Sequence, residues 1–236
     1  MKRLMMKKQM LTWLGAAGLS VATGMASAEV AVGAGLASDY MWRGVTQNDR
    51  DVAVSGSLDY SHENGFFVGA WASMTEFGGE DGYELDLYFG YAGSINEELE
   101  YSVTINRYAY PDYEDSDFTE VWLDFSYSHF SAGVAYTFDS EVDEPGVFVE
   151  EDLYYYGSVA FDLSNDFSLT ATVGYYDFAD DGNAAVGDVS YAHYQLDLSK
   201  SFGDFGDVTA SLYQADDESG DDNALITLSW NKSFSL

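Results

Sequence analysis

Apolar and polar residues alternate with period two along almost the whole chain after residue 28, and this limits the fold more than any other feature. Val52, Val54, Gly56, Leu58 and Tyr60 share one face against Ala53, Ser55, Ser57 and Asp59. Leu85, Leu87, Phe89 and Tyr91 oppose Glu84, Asp86, Tyr88 and Gly90. Leu99, Tyr101, Val103 and Ile105 oppose Glu100, Ser102, Thr104 and Asn106. Val121, Leu123, Phe125 and Tyr127 oppose Glu120, Trp122, Asp124, Ser126 and Ser128. The rhythm continues through 153–163, 167–175, 194–198, 208–212 and 224–230, with less regular stretches at 30–38, 66–74 and 132–138. About twelve strands of roughly 7–11 residues follow, a length that suits tilted membrane-crossing strands.

A soluble β-sandwich shows the same alternation, so the connections decide between the two. Long ones are expected at 39–51, 75–83, 109–118, 139–152, 177–189 and 214–223, and short ones at 61–65, 93–98, 129–131, 164–166 and 201–207. Long and short alternate in strict order. That places all long loops on one rim of an all-β, closed, up-and-down antiparallel barrel, with both ends of the chain on the other rim. Aromatic residues support this reading. Tyr60, Tyr91, Tyr127, Phe161 and Trp230 fall at the short-turn rim of the apolar face, and Tyr136, Phe138 and Tyr175 at the long-loop rim, as two interfacial girdles require.

The first 28 residues are expected to be a cleaved signal peptide. Lys2, Arg3, Lys7 and Lys8 form a basic region, residues 10–25 an apolar run, and Ala26-Ser27-Ala28 a small-residue cleavage site. Residues 29–236 then form one outer-membrane barrel domain. Without the leader, five bases (Arg43, Arg50, Arg107, Lys200 and Lys232) face 41 acids, a formal charge of −36. Such a polyanion repels nucleic acid, so the expected partners are outer-membrane lipid and lipopolysaccharide, the barrel-assembly machinery and small solutes. High charge with few rings would indicate disorder, but 17% of the residues are aromatic and need burial or a membrane. No cysteine is present, which excludes disulfides and thiol chemistry, and no window after Ala28 is a transmembrane helix. The final amphipathic strand, ending at Phe234-Ser235-Leu236, resembles the signal read by barrel-assembly machinery, with Leu in place of the usual terminal Phe.

The polar face carries Asp59, Glu84, Asp86, Glu100, Glu120, Asp124, Asp162 and Asp197, which are the pore-lining candidates. Carboxylates around a lumen favour cations over anions. The expected function is therefore passive diffusion of small cationic or neutral hydrophilic solutes, with a non-conducting structural or surface-interaction barrel as the alternative. Arg107 lies on the apolar phase near the long-loop rim; outward it meets lipopolysaccharide phosphate, and through a bulge it turns inward to lumenal acids. Lys200 and Lys232 are expected to snorkel at the opposite rim. The stretch 177–183 with Asp188 echoes a calcium loop, but Ala179 occupies a ligand position and the bidentate Glu is missing, so no metal or cofactor is expected. A barrel hydrolase is the third reading, centred on His193 beside acidic loop residues. Neither a G-x-S-x-G nor an H-E-x-x-H motif accompanies it, so no catalytic residue is assigned.

One stretch goes beyond pattern. Ser38-Asp39-Tyr40-Met41-Trp42-Arg43-Gly44-Val45-Thr46-Gln47 resembles the S-D-Y-x-[FW]-R-G-x-[ST]-Q hallmark of the TorF-type porins, bacterial outer-membrane proteins of the conserved-hypothetical Gcw_chp group. The resemblance implies an outer-membrane barrel assigned to the porins, with no solute fixed by the motif. Within it, Arg43 can bond loop carbonyls or lumenal carboxylates, and Gly44 can make a sharp bend. Tyr40 and Trp42 are expected in the outer girdle. The segment as a whole either narrows the mouth or touches the solute.

Overall fold

The computed structural model describes residues 28–236. The expected signal peptide therefore lies outside the described residues, apart from Ala28. Fourteen strands form two sheets. Twelve of them close a barrel: β1 (Glu29–Ala37), β4 (Ala53–Ser61), β5 (Phe66–Phe77), β6 (Glu80–Ser94), β7 (Leu99–Ala109), β8 (Phe118–Tyr127), β9 (Phe130–Ser140), β10 (Leu153–Asp162), β11 (Phe167–Asp177), β12 (Tyr191–Ser201), β13 (Asp207–Ala215) and β14 (Leu225–Ser235). The remaining two, β2 (Met41–Trp42) and β3 (Val45–Thr46), pair with each other inside the first long loop.

Each barrel strand runs antiparallel to its neighbour, and β1 closes the ring. It pairs with β4 from Glu29↔Ser61 to Ala37↔Ala53, and with β14 from Ala31↔Ser235 to Ala37↔Ser229. Closure leaves no sheet edge, so every ladder N–H and C=O has a partner without help from solvent. Gly33 and Gly35 leave room for the side chains of their pairing partners on β4, because a Cβ on either would lie 2.4 or 2.3 Å from Ser57 Oγ or Ser55 Oγ.

The alternation sorts side chains as the sequence requires. Leu36, Val54, Leu58, Leu87, Phe89, Val103, Leu123, Val173, Leu196, Leu212 and Leu228 point outward and are exposed. The girdle rings Tyr91, Tyr127 and Phe161 at one rim and Tyr136, Phe138 and Tyr175 at the other are exposed as well. Lys200 Nζ donates to Asn165 O at 2.6 Å over the Phe167 ring, and Lys232 Nζ to Asp204 O, both at the short-turn rim.

One expectation needs correction. Residues 75–83 are not a long loop: β5 and β6 run on to Phe77 and Glu80 and meet in a two-residue turn at Gly78-Gly79, with φ of 65° and 85°. Two glycines at positive φ make the tight hairpin that a loop assignment overlooks. Tyr113 braces this tall hairpin, stacking edge-on to Phe77 at 5.0 Å and donating to Glu80 O at 2.7 Å. Of the two placements left open for Arg107, the outward one holds. It stays at the long-loop rim, bonding Asp117 and Glu141 at 2.8 Å each, so the chain's own rim acids hold it.

Candidate functional site

The first long loop folds into the barrel. Its hairpin turns at Arg43-Gly44, whose φ values of 48° and 88° are both positive, the geometry of a two-residue turn that keeps the twist of its strands. Polar ties shape it. Thr46 Oγ1 donates to Asp39 Oδ1 at 2.7 Å, Tyr40 N to Asn48 Oδ1 at 2.8 Å, and Gln47 N to Tyr40 O at 2.7 Å. Ser38 Oγ accepts from Leu228 N at 2.9 Å, fixing the start of the loop to β14. Its far arm is fixed by Glu76 N donating to Gln47 O at 2.9 Å.

At the tip, Arg43 Nη2 donates to Glu120 Oε2 at 2.5 Å, and both side chains are 1% exposed. The guanidinium carbon sits 4.1 Å from the centre of the Trp42 ring, 4.3 Å from Tyr154, 4.6 Å from Tyr176 and 5.0 Å from Trp122. Its Nε and Nη1 meet no acceptor, and face these rings instead. A weakly hydrated cation, such as this planar guanidinium, suits such a box. Tyr191 Oη donates to the Arg43 carbonyl at 3.0 Å, so the backbone at the tip is held too.

Around this pair a buried, mainly aromatic cluster occupies the lumen. Tyr40 and Trp42 of the loop join Tyr108, Tyr110, Phe118, Tyr154, Tyr176, Phe178 and Tyr191, with Ala53, Ala135 and Ala215 closing the circle, in one buried cluster. Trp42 is 2% exposed and meets Tyr108, Phe118, Phe148 and Tyr176 edge-on or tilted at 5.6–6.2 Å. Tyr40 and Trp42 are thus not girdle residues, because the hairpin carries them inward. A twelve-strand ring is wider than the eight-strand kind that side chains just fill, and here aromatic side chains of wall and loop occupy its middle near the long-loop rim. A β-bulge between β8 and β9, where the register shifts at Thr119/Glu120, lies beside this cluster.

The expected pore-lining acids separate by height. Glu84, Asp86, Glu120 and Asp197 are buried, Asp59, Glu100 and Asp124 are half-buried, and Asp162 is exposed. Hydroxyls and amides of the wall serve most of them. Tyr40 Oη lies 3.2 Å from both Glu84 oxygens, Asn106 Nδ2 donates to Asp86 Oδ2 at 3.2 Å, and Gln195 Nε2 lies 2.9 Å from both oxygens of Asp197. Tyr156 Oη donates to Asp124 at 2.8 Å, and Asp59 accepts from Ser57 at 2.8 Å and from Tyr88. Toward the short-turn rim the wall becomes small and polar, with Ser57, Ser102, Ser131, Ser158, Thr170, Ser199 and Thr209. The interior is therefore not acidic and wet throughout. Its long-loop half is aromatic and filled, because Trp122, Tyr154, Tyr156, Tyr176 and Tyr191 share the phase of the polar residues.

His193 does not meet the acidic loop residues expected beside it. It is 1% exposed, stacks on Tyr154, and pairs its Nε2 with Tyr154 Oη at 2.9 Å. The Arg43-Gly44 turn presses on it: a Cβ on Gly44 would lie 2.4 Å from His193 Cβ. Gly44→Ala thus combines a clash with an unfavourable φ, a cost of about 1–3 kcal/mol. The expected result is displacement of the hairpin and trypsin cleavage at Arg43 under conditions that leave the native barrel intact. An uncut variant would mean that the tip tolerates the extra methyl.

In the long loop after β11, Ser190 N and Val189 N donate to Asp181 Oδ1 at 3.0 and 2.5 Å and hold its carboxyl below the usual carboxylate range. This arrangement is a loop closure. Among the described residues, no group of three or more His, Asp or Glu side chains is placed to hold a metal ion.

The model for the family described as "Bacterial protein of unknown function (Gcw_chp)" matches residues 21–230. The chain belongs to the Gcw_chp family. Among solved structures, this Gcw_chp protein is similar to the KdgM porin, with a TM-score of 0.58 at 8% identity over 87% of this chain and 99% of that one. It is also similar to the NanC porin, with a TM-score of 0.54 at 14% identity over 88% and 100%. A second KdgM structure, in complex with disordered oligogalacturonate, gives a TM-score of 0.57 at 7% identity over 88% and 99%. These likenesses carry the fold, a porin-type barrel. No curated protein matches the sequence.

Proposed function

We propose that this Gcw_chp protein is a TorF-type porin: an outer-membrane channel for small cationic or neutral hydrophilic solutes, stopped at its external mouth by the hairpin of its first loop. The reading is carried by one observation. Inside a closed barrel with an apolar exterior, the polar face holds carboxylates at several heights, and the single base among them is Arg43 of the described residues. Arg50, Arg107, Lys200 and Lys232 all sit at the rims. A lumen charged this way attracts cations and repels anions. Long loops conventionally face outward, so the aromatic stopper faces the medium and the Ser/Thr-lined half faces the periplasm.

The buried aromatic cluster favours one further reading, a barrel that never conducts and acts as a structural or surface-interaction element. Planar bilayers separate the two. The channel reading expects brief or small openings from the native chain, and steady conductance with cation preference in a KCl gradient after residues 40–47 are replaced by a short Gly/Ser linker. Anion preference, or silence in both proteins, overturns it.

A further inference from the structure

Of the groups around the Arg43 guanidinium, only Trp42 belongs to the loop. Glu120 and Trp122 stand on β8, Tyr154 on β10 and Tyr176 on β11, all inward positions of the barrel wall. If the hairpin leaves, these four remain, because the strand ladder positions them independently of it. What remains is a carboxylate flanked by three ring faces, the arrangement that recognises a guanidinium or a substituted ammonium and excludes a strongly hydrated inorganic ion. Arg43 occupies it as a tethered ligand would, with one charge-assisted bond to Glu120 and the remaining nitrogens over rings.

We infer that Glu120, Trp122, Tyr154 and Tyr176 form a binding site for guanidinium-type and other organic cations, which Arg43 of the first loop fills when the channel is closed. Cargo and plug then compete for one cage. An organic cation arriving from the mouth replaces Arg43, stabilises the open hairpin, and passes to the carboxylates further along the wall, Asp124 among them. The inference deepens the channel reading and rests on it for transport, but the cage can be tested without transport.

The test uses the full-length barrel carrying Arg43→Ala and guanidinium chloride at low millimolar concentration, far below the molar range in which it denatures proteins. NaCl of equal ionic strength serves as the comparison. In detergent, guanidinium should raise the thermal midpoint of Arg43→Ala and shift its tryptophan emission, and NaCl should do neither. The native chain should need at least about tenfold more guanidinium, because its own Arg43 competes at high effective concentration. Adding Glu120→Gln to Arg43→Ala should abolish the response. In bilayers, guanidinium should block the sodium current of Arg43→Ala.

A variant that conducts yet treats guanidinium and sodium alike overturns the cage and leaves the channel standing. A guanidinium-specific rise in midpoint without any conductance supports the cage and removes the channel. If Arg43→Ala does not refold without guanidinium but does with it, the cage is supported. If it refolds in neither, Arg43→Lys decides by the same emission shift, since its compact, strongly hydrated –NH3+ competes for the cage less well than a guanidinium; no shift there overturns the proposal.

Discussion

Glu120→Ala is expected to open the mouth of the barrel. The substitution leaves the Arg43 guanidinium buried without its carboxylate, and breaking one side of a buried pair costs about 3–5 kcal/mol. Four rings return part of this through cation–π attraction, but they offer no hydrogen bond to the Nη2 that Glu120 serves. The chain has a cheaper response than unfolding. The barrel wall is a continuous ladder and stays intact, whereas the hairpin has only two strands of two residues each and can swing out so that Arg43 reaches water. Trypsin should then cut at Arg43, which is shut from solvent in the native protein, and bilayer conductance should rise. Glu120→Gln keeps the shape and one acceptor, so its effect should be smaller in both assays. Glu120→Ala that resists trypsin and conducts no more than the native chain would show that the aromatic packing, not the ion pair, holds the plug.

Val103→Arg is expected to impair assembly of the barrel in a membrane, whereas Ser102→Arg, one residue away, should not. Val103 sits at the middle of β7, exposed on the outer face between Tyr91 of β6 and Leu123 of β8. A charge on the lipid face at mid-depth costs about 2–4 kcal/mol. Ser102 points the other way and bonds Asp124 Oδ2 at 3.3 Å, so an arginine there meets a carboxylate and a polar wall. The folded fraction, read as the heat-modifiable band on unboiled gels, should fall for Val103→Arg in lipid vesicles and remain near native for Ser102→Arg. Equal folding of both variants in bilayers would argue that the outer apolar face does not contact acyl chains.

Most of the wall was legible before the structure. Strand positions and the outward face followed from alternation, because a pleated strand sends successive side chains to opposite sides and a one-residue slip would expose the wrong set. Sorting of the loops by length placed the two rims. One miss, the tall hairpin at Gly78-Gly79, arose because Glu76, Glu80 and Asp81 read as a polar loop, whereas above a membrane rim a strand can be polar on both faces. The rings Tyr154, Tyr156 and Tyr176 were in view as well, in phase with Ser158 and Thr172 rather than with Val159 and Val173. Their phase, not their abundance, was the signal that the interior is partly aromatic.

The hallmark segment shows where that legibility stops. Residues 38–47 announce a loop with a glycine bend beside an arginine, and the sequence alone determined that this cation belongs to a chain with a large excess of acids. It also determined the barrel, the twelve strands and which carboxylates share a face. Only the tertiary structure decided that Arg43 goes inward and selects Glu120, 77 residues away, from the acids available. The physical reason is closure. Local alternation orients each side chain relative to its own strand, but which residues from β8, β10, β11 and β12 reach a common height depends on the register summed around the ring. That sum brings three rings, a carboxylate and His193 to the level of the loop-1 tip, and so buries the motif inside the barrel.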